Sequence, residues 1–274
     1  VSRQDSLLIR GNDIRTNSYF SYYSGIEIQY SSTVLDVVKN RIYTQNGGAG
    51  IYFITCRGSV TDPILIANNF ITVGGTGNAT GIKIADSRYQ DICFNNVLIL
   101  NPAAAASCCL EIDGSTAGSF SVRNNILVNH GGGYCYKVPN PSIISVSDYN
   151  DFYTTGRYLG IWSEYIASLP ALQSQSGKDL HSISVDPGFI SATDLHVTDV
   201  AVNNAGTPVT DVKDDIDGQT RHPLHPDIGA DEFAGIALDA AIQRFASPVM
   251  PFSHGNNTVS VIIRNGGENT LVNV

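Results

Sequence analysis

No apolar run in this chain approaches the roughly 20 residues that a membrane-crossing helix needs, so membrane insertion is not expected. Charge is scarce as well. Only 15% of the 274 residues are Asp, Glu, Lys or Arg, and a net charge of -9 leaves no overall basic face for a phosphate backbone, so nucleic acid is not an expected partner. The five cysteines lack C-x-x-C spacing and the six histidines lack H-x-x-x-H spacing, which removes the usual sequence signs of a zinc or redox centre. An odd cysteine count leaves at least one thiol outside any internal pairing. Met and Trp occur once each while Gly occurs 26 times, a balance that suits a turn-rich, all-β, extracellular protein better than a helical cytosolic one.

What is present is a repeat. Asn12, Asn40, Asn69, Asn96, Asn125 and Asn150 recur at intervals of 25 (125 to 150) to 29 (40 to 69) residues, each flanked by apolar residues. Self-similarity at that period means stacked units, none able to bury its apolar face alone. A second anchor follows each of the first five copies: Gly25-Ile26-Glu27-Ile28, Gly50-Ile51-Tyr52-Phe53, Gly81-Ile82-Lys83-Ile84, Cys109-Leu110-Glu111-Ile112 and Cys135-Tyr136-Lys137-Val138. Alternation makes each a short strand with one residue outward between two inward. Further runs such as Ile64-Leu65-Ile66 before the Asn and Ile126-Leu127 after it give three strands per repeat. No repeat carries the helical pattern that a βαβ crossover requires.

These motifs, over about residues 6 to 153, resemble the single-stranded right-handed parallel β-helix proteins of the pectate-lyase-like superfamily. The resemblance implies an all-β solenoid of three-strand coils, with the Asn ladder in a tight bend where Asn tolerates left-handed backbone angles. It also implies a secreted or cell-surface protein that meets polysaccharide along the groove over the first strand of each coil. Asp179-Leu180-His181-Ser182, Val185-Asp186-Pro187-Gly188-Phe189 and the stretch from Asp215 to Phe233 resemble a closing module of secreted bacterial β-helix proteins, expected over residues 154 to 234 as an irregular cap on the open end. A short helix is expected within Ser163 to Gln175, with Ser168 as N-cap and Pro170 in its first turn. Residues 235 to 274 look like a linker and the first strands of an immunoglobulin-like sandwich, Asn257 to Gly267 being the clearest. The chain is therefore expected to be part of a longer protein with further domains.

Stacking the first strands places Glu27, Tyr52, Lys83, Glu111 and Lys137 in one outward row, about 4.8 Å per coil. These five, with Tyr19, Phe20, Tyr22 and Tyr23 of the preceding loop, are the candidate substrate-binding residues, flat rings suiting sugar faces; the competing reading of the four loop aromatics is a cover over the exposed core or an upstream coil. Lyase chemistry would need a base, for which Lys83 and Lys137 are candidates. It would also need a cation, for which Glu111 and Asp113 could supply calcium ligands. The competing reading is a plain charge ladder of Lys83, Glu111 and Lys137. Asp214, Asp215 and Asp217 form a second, weak calcium candidate without EF-hand spacing; Asp217-Gly218 with Arg221 reads more simply as a turn held by an ion pair. No other cofactor is expected. The Asp-Asp pair with Gly-His-Gly of polygalacturonases is missing, as is the clustered Asp and Arg pattern of pectate lyases. Glycan binding is therefore placed ahead of a lyase or hydrolase activity, and a groove-free structural stalk or adhesin stays open. Cys109 and Cys135 share one position in adjacent coils, which allows either a lateral disulfide or stacked reduced thiols.

Overall fold

The structure, a computed structural model, describes residues 7–16, 23–31, 35–100, 106–113, 119–197, 199–233, 240–247 and 258–265. Its body is a β-solenoid of about five parallel coils, each giving one strand to each of three sheets. The first sheet stacks Ser24–Gln29, Gly48–Ile54, Ala79–Ala85, Cys108–Asp113, Tyr134–Val138 and Gly160–Trp162 in parallel; Glu164–Ile166 then adds antiparallel at the end. The second sheet runs from Leu7–Arg10 to Ile144–Asp148 and the third from Asp13–Thr16 to Asp151–Thr154, all neighbours parallel.

The alternation in sequence is the cause of this packing. Ile26, Ile28, Ile51, Phe53, Ile82, Ile84, Leu110 and Ile112 point into one continuous core with Val37, Ile66, Ile71 and Leu127 of the other sheets. Full burial of each such side chain contributes about 1.5 to 3 kcal/mol. Gly50 and Gly81 enter the first sheet where space runs out. A Cβ on Gly50 would lie 2.2 Å from Ile71 Cγ2 and 2.7 Å from the Gly81 carbonyl oxygen of the next coil.

The Asn ladder is present, with one rung corrected. Side-chain amides donate from Asn12 to Asn40, Asn40 to Asn69, Asn69 to Asn95, Asn95 to Asn125 and Asn125 to Asn150, at 2.9 to 3.1 Å. Asn150 then donates to Asp179 at 3.1 Å, so a carboxylate closes the series. The fourth rung is Asn95 and not Asn96, because the side chain of Asn96 leaves the core and meets the C-terminal part of the chain. The left-handed backbone also sits one residue earlier than expected: Gly11, Lys39, Asn68, Phe94, Asn124 and Tyr149 have φ of 54 to 67°, each just before its ladder residue. That geometry turns the position before the rung outward, while the rungs from Asn40 to Asn150 stay buried.

Those outward positions form a dock, and within the stretch expected as closing coils and cap, 154 to 234, it is the first part that closes the end. The end of the solenoid is closed by Trp162, Ile166 and the helix Leu169–Ser176, whose Leu169 and Leu172 join the core. The helix begins after Ser168 with Pro170 in its first turn, as expected; Glu164–Ile166 before it is a strand, and Gly177 stops it in a left-handed C-cap at φ 65°. Residues 186–232, the return segment, instead run back along the flank over the row of left-handed residues. Asn124 exchanges two hydrogen bonds with Thr207 at 2.8 and 2.9 Å. Asn96 donates to Leu195 O at 2.8 Å and accepts from the Ala230 amide at 2.9 Å. Lys39 Nζ donates to Asp214 at 2.7 Å.

Arg221 is correspondingly not the partner of Asp217. Its guanidinium is buried against the Phe94 ring, 3.8 Å from the centroid, and donates to Glu232, Asn68 and Gly229 O at 3.2, 2.8 and 2.9 Å. A cation so far from water needs several acceptors, and these supply them.

The five cysteines are free and buried, so the stacked reduced reading of Cys109 and Cys135 holds. The chain divides into two compact units, 1–232 and 233–274. In the second, Ala240–Ser247 and Ser260–Asn265 pair as an antiparallel hairpin.

Candidate functional site

The outward row exists and is longer than the sequence pattern suggests. Register pairs Glu27 with Tyr52, Tyr52 with Lys83, Lys83 with Glu111 and Glu111 with Lys137. Lys137 then pairs with Ile161, and Ile161 with Tyr165 on the antiparallel edge strand, so the line continues for two more residues. The positions from Glu27 to Ile161 are half-buried, and Tyr165 is 62% exposed.

The row is held by its own members. Lys137 Nζ donates to Glu111 Oε1 at 2.9 Å, while Lys83 Nζ lies 5.2 Å from the centre of the Tyr52 ring. The expected charge ladder is therefore half ion pair and half cation–π contact. Burial pulls the Lys137 ammonium down, but the bond to Glu111 outweighs it and holds Lys137 above the ordinary lysine range. At the near end, Glu27 accepts from Gln29 Nε2 on its own strand.

Periodicity missed an aromatic group at the far end. Tyr165 stacks on Tyr158 at 4.9 Å between ring centres and leans toward Tyr134 at 6.2 Å, with the Arg157 guanidinium 5.1 Å from the Tyr158 ring. Tyr134 opens the strand that carries Lys137, and Tyr165 lies two strand steps from Lys137 on the outward line. The reversal that presents Tyr165 occurs at Ser163, at φ 65°.

Of the other candidates, Asp113 is exposed at the end of its strand, two residues beyond Glu111. Tyr23 is exposed, while Tyr19, Phe20 and Tyr22 lie outside the described residues. Asp214, Asp215 and Asp217 do not converge. Asp214 binds Lys39. Asp215 is buried and accepts from the amides of Asp217, Gln219 and Glu232 at 2.8 to 3.0 Å, a turn-building role.

Asp217 points elsewhere, into a cluster on the outer side of the third sheet. It accepts from Arg41 Nη2 at 2.6 Å and meets His196 Nε2 at 2.6 Å, while His196 Nδ1 bonds Asp194. The imidazole packs edge-on against Phe70, ring centres 4.9 Å apart. Burial lowers the His196 pKa, but the bonds to Asp217 and Asp194 outweigh it and leave it above the ordinary histidine range. The carboxyl of Asp231, 3% exposed, completes a group whose ligand atoms all lie within 4.8 Å of one another.

Compared with protein-family models, with curated proteins and with solved structures, the chain matches none. The fold and the row rest on its own residues.

Proposed function

We propose that this chain is the glycan-facing β-helix module of a larger secreted or cell-surface protein, with polysaccharide lying along the outer face of the first sheet. The observation that carries this reading is the unbroken line from Tyr52 to Tyr165, five strand steps or about 24 Å, with rings at both ends and the Glu111–Lys137 pair between them. Tyrosine rings give flat apolar area at low entropic cost with a polar edge, which suits a pyranose face. A fixed carboxylate and ammonium between them suit the hydroxyls and carboxylates of a sugar chain. The resemblance of the coil motifs to the pectate-lyase-like superfamily supports the same assignment, and the hairpin in 233–274 fits the first strands of a following sandwich domain.

Binding is favoured over cleavage. A lysine base works best with a lowered pKa, whereas Lys137 is held above its usual range by Glu111. Glu27 and Glu111 stand three steps apart, about 14 Å, beyond the ~9.5 Å reach of a hydrolase acid–base pair. Affinity electrophoresis of the full chain against neutral and uronate-containing polysaccharides tests the reading. Retention by at least one glycan should weaken in Tyr165→Ala and in Tyr52→Ala. Equal mobility of wild type and both variants in every gel would sink it, and release of unsaturated or reducing ends would move the assignment to an enzyme.

A further inference from the structure

We propose that His196, Asp217 and Asp231 form a binding site for a divalent transition-metal ion of the zinc class, which ties three stretches of the return segment to one another over the flank of the solenoid. One imidazole nitrogen and two carboxylates are a donor set that zinc-class ions take readily, and here the three ligand atoms lie within 4.8 Å of one another. Asp194 holds Nδ1, so the other ring nitrogen, Nε2, is the one presented to the two carboxylates. A carboxylate behind the imidazole is the arrangement that fixes the ring of a metal-ligating histidine.

Asp231 is the second, independent sign. The residue is 3% exposed and its carboxyl accepts from the Val197 backbone amide, but among the described residues no cation lies within the 4.0 Å of an ion pair and no side chain donates a hydrogen bond to it. A buried carboxyl with one backbone donor and no countercharge of its own keeps acceptor capacity for a cation shared with His196 and Asp217. Tetrahedral ligands at zinc distances stand about 3.3 Å apart, so Asp217 would draw back from its present 2.6 Å by less than ~1 Å. Its other oxygen stays on Arg41. The metal takes the place of the Nε2 proton, which is released, and two carboxylates balance its charge.

The three ligands come from three separate stretches of the return segment, so the ion would tie 196, 217 and 231 together above Phe70 and Arg41. Calorimetric titration of the full chain with zinc chloride, paired with thermal melts, is the test. One zinc per chain should bind and raise the melting temperature. Asp231→Asn, nearly isosteric, should weaken binding at least ~10-fold, His196→Gln should abolish it, and Asp194→Asn should weaken it by about 10- to 100-fold. No binding by the wild type overturns the proposal. So does zinc retained undiminished in His196→Gln and lost instead in His222→Ala, which would place it on the exposed, stacked His222–His225 pair, ring centres 5.9 Å apart.

Discussion

The guanidinium of Arg221 lies over the ring of Phe94, although 127 residues separate them in the chain (221 minus 94). Phe94 belongs to the bend of one coil and Arg221 to the segment that comes back across it. Removing the cation takes the guanidinium donor from Asn68 Oδ1 and Gly229 O and leaves the Glu232 carboxylate with the backbone amides of His222 and Asp227 but without its ion-pair partner. Arg221→Ala should cost about 3 to 5 kcal/mol in urea unfolding, the range for breaking a buried pair from one side. Limited proteolysis should then cut within 204–232 first. Loss under ~1 kcal/mol would show that the strap is held elsewhere.

Gly50 tests close approach between coils. Alanine there forces its Cβ against Ile71 Cγ2 and the Gly81 carbonyl, and the backbone oxygen cannot rotate away. Gly50→Ala should destabilise by about 1 to 3 kcal/mol, the cost of overpacking. Gly11→Ala, with open space around its Cβ but φ of 67°, should be milder in packing terms and should act through backbone strain alone.

Two buried carboxyls give the molecule an acid-side stability. Burial raises Asp151 well above the ordinary carboxyl range and raises Asp179 too, opposed by bonds from Val185 to the first and from Ser182, Ser147 and Asn150 to the second. A raised folded pKa favours the protonated native form. This contribution is fully present below the unfolded value near 3.9 and is lost as pH rises through the folded value. Asp151→Asn can keep the acceptor for the Val185 amide, so it should melt higher than wild type at neutral pH and with a flatter pH dependence above about 4. Parallel curves for the two proteins would contradict this.

All five thiols are buried, and burial lifts Cys93 to about 12 and Cys108 and Cys109 well above the usual thiol range. Ellman's reagent should therefore find no rapidly reacting thiol in the native chain and five after denaturation. A count of three in denaturant would mean that two of the five had paired (5 minus 2).

Glu111→Gln separates a binding role from a structural one. The Lys137–Glu111 pair has the lysine 30% and the glutamate 13% exposed, and partly solvated pairs contribute only about 0.2 to 1 kcal/mol. Stability should fall by no more than that, while glycan retention should drop clearly. A large stability loss with unchanged retention would reverse the roles.

What the sequence made legible follows from its period. Ile26 to Val138 repeat every coil, so the first sheet, its core and the row from Glu27 to Lys137 could be read without coordinates. The adjacent pair Asn95-Asn96 could not be resolved that way, since either residue fits the spacing; hydrogen bonding places one inside and one outside. Tyr165 was invisible because a single left-handed residue at Ser163 reverses the strand and breaks the period. His196 had no signal at all: Asp217 lies 21 residues on and Arg41 lies 176 residues from Asp217, in an aperiodic segment whose partners only the fold supplies.

The return segment changes what kind of object the solenoid is. Stacked coils that touch only their neighbours behave as a one-dimensional chain, able to fray from an end one rung at a time. A strap that grips Asn124, Asn96, Asn68 and Lys39 in turn adds contacts that skip neighbours and couples distant rungs directly. Opening a middle coil then requires releasing the strap from all of them. Cooperativity in this protein is thus written across the coils as well as along them, and amide exchange should be uniformly slow in the strands from Arg41–Thr44 to Ile126–Asn129.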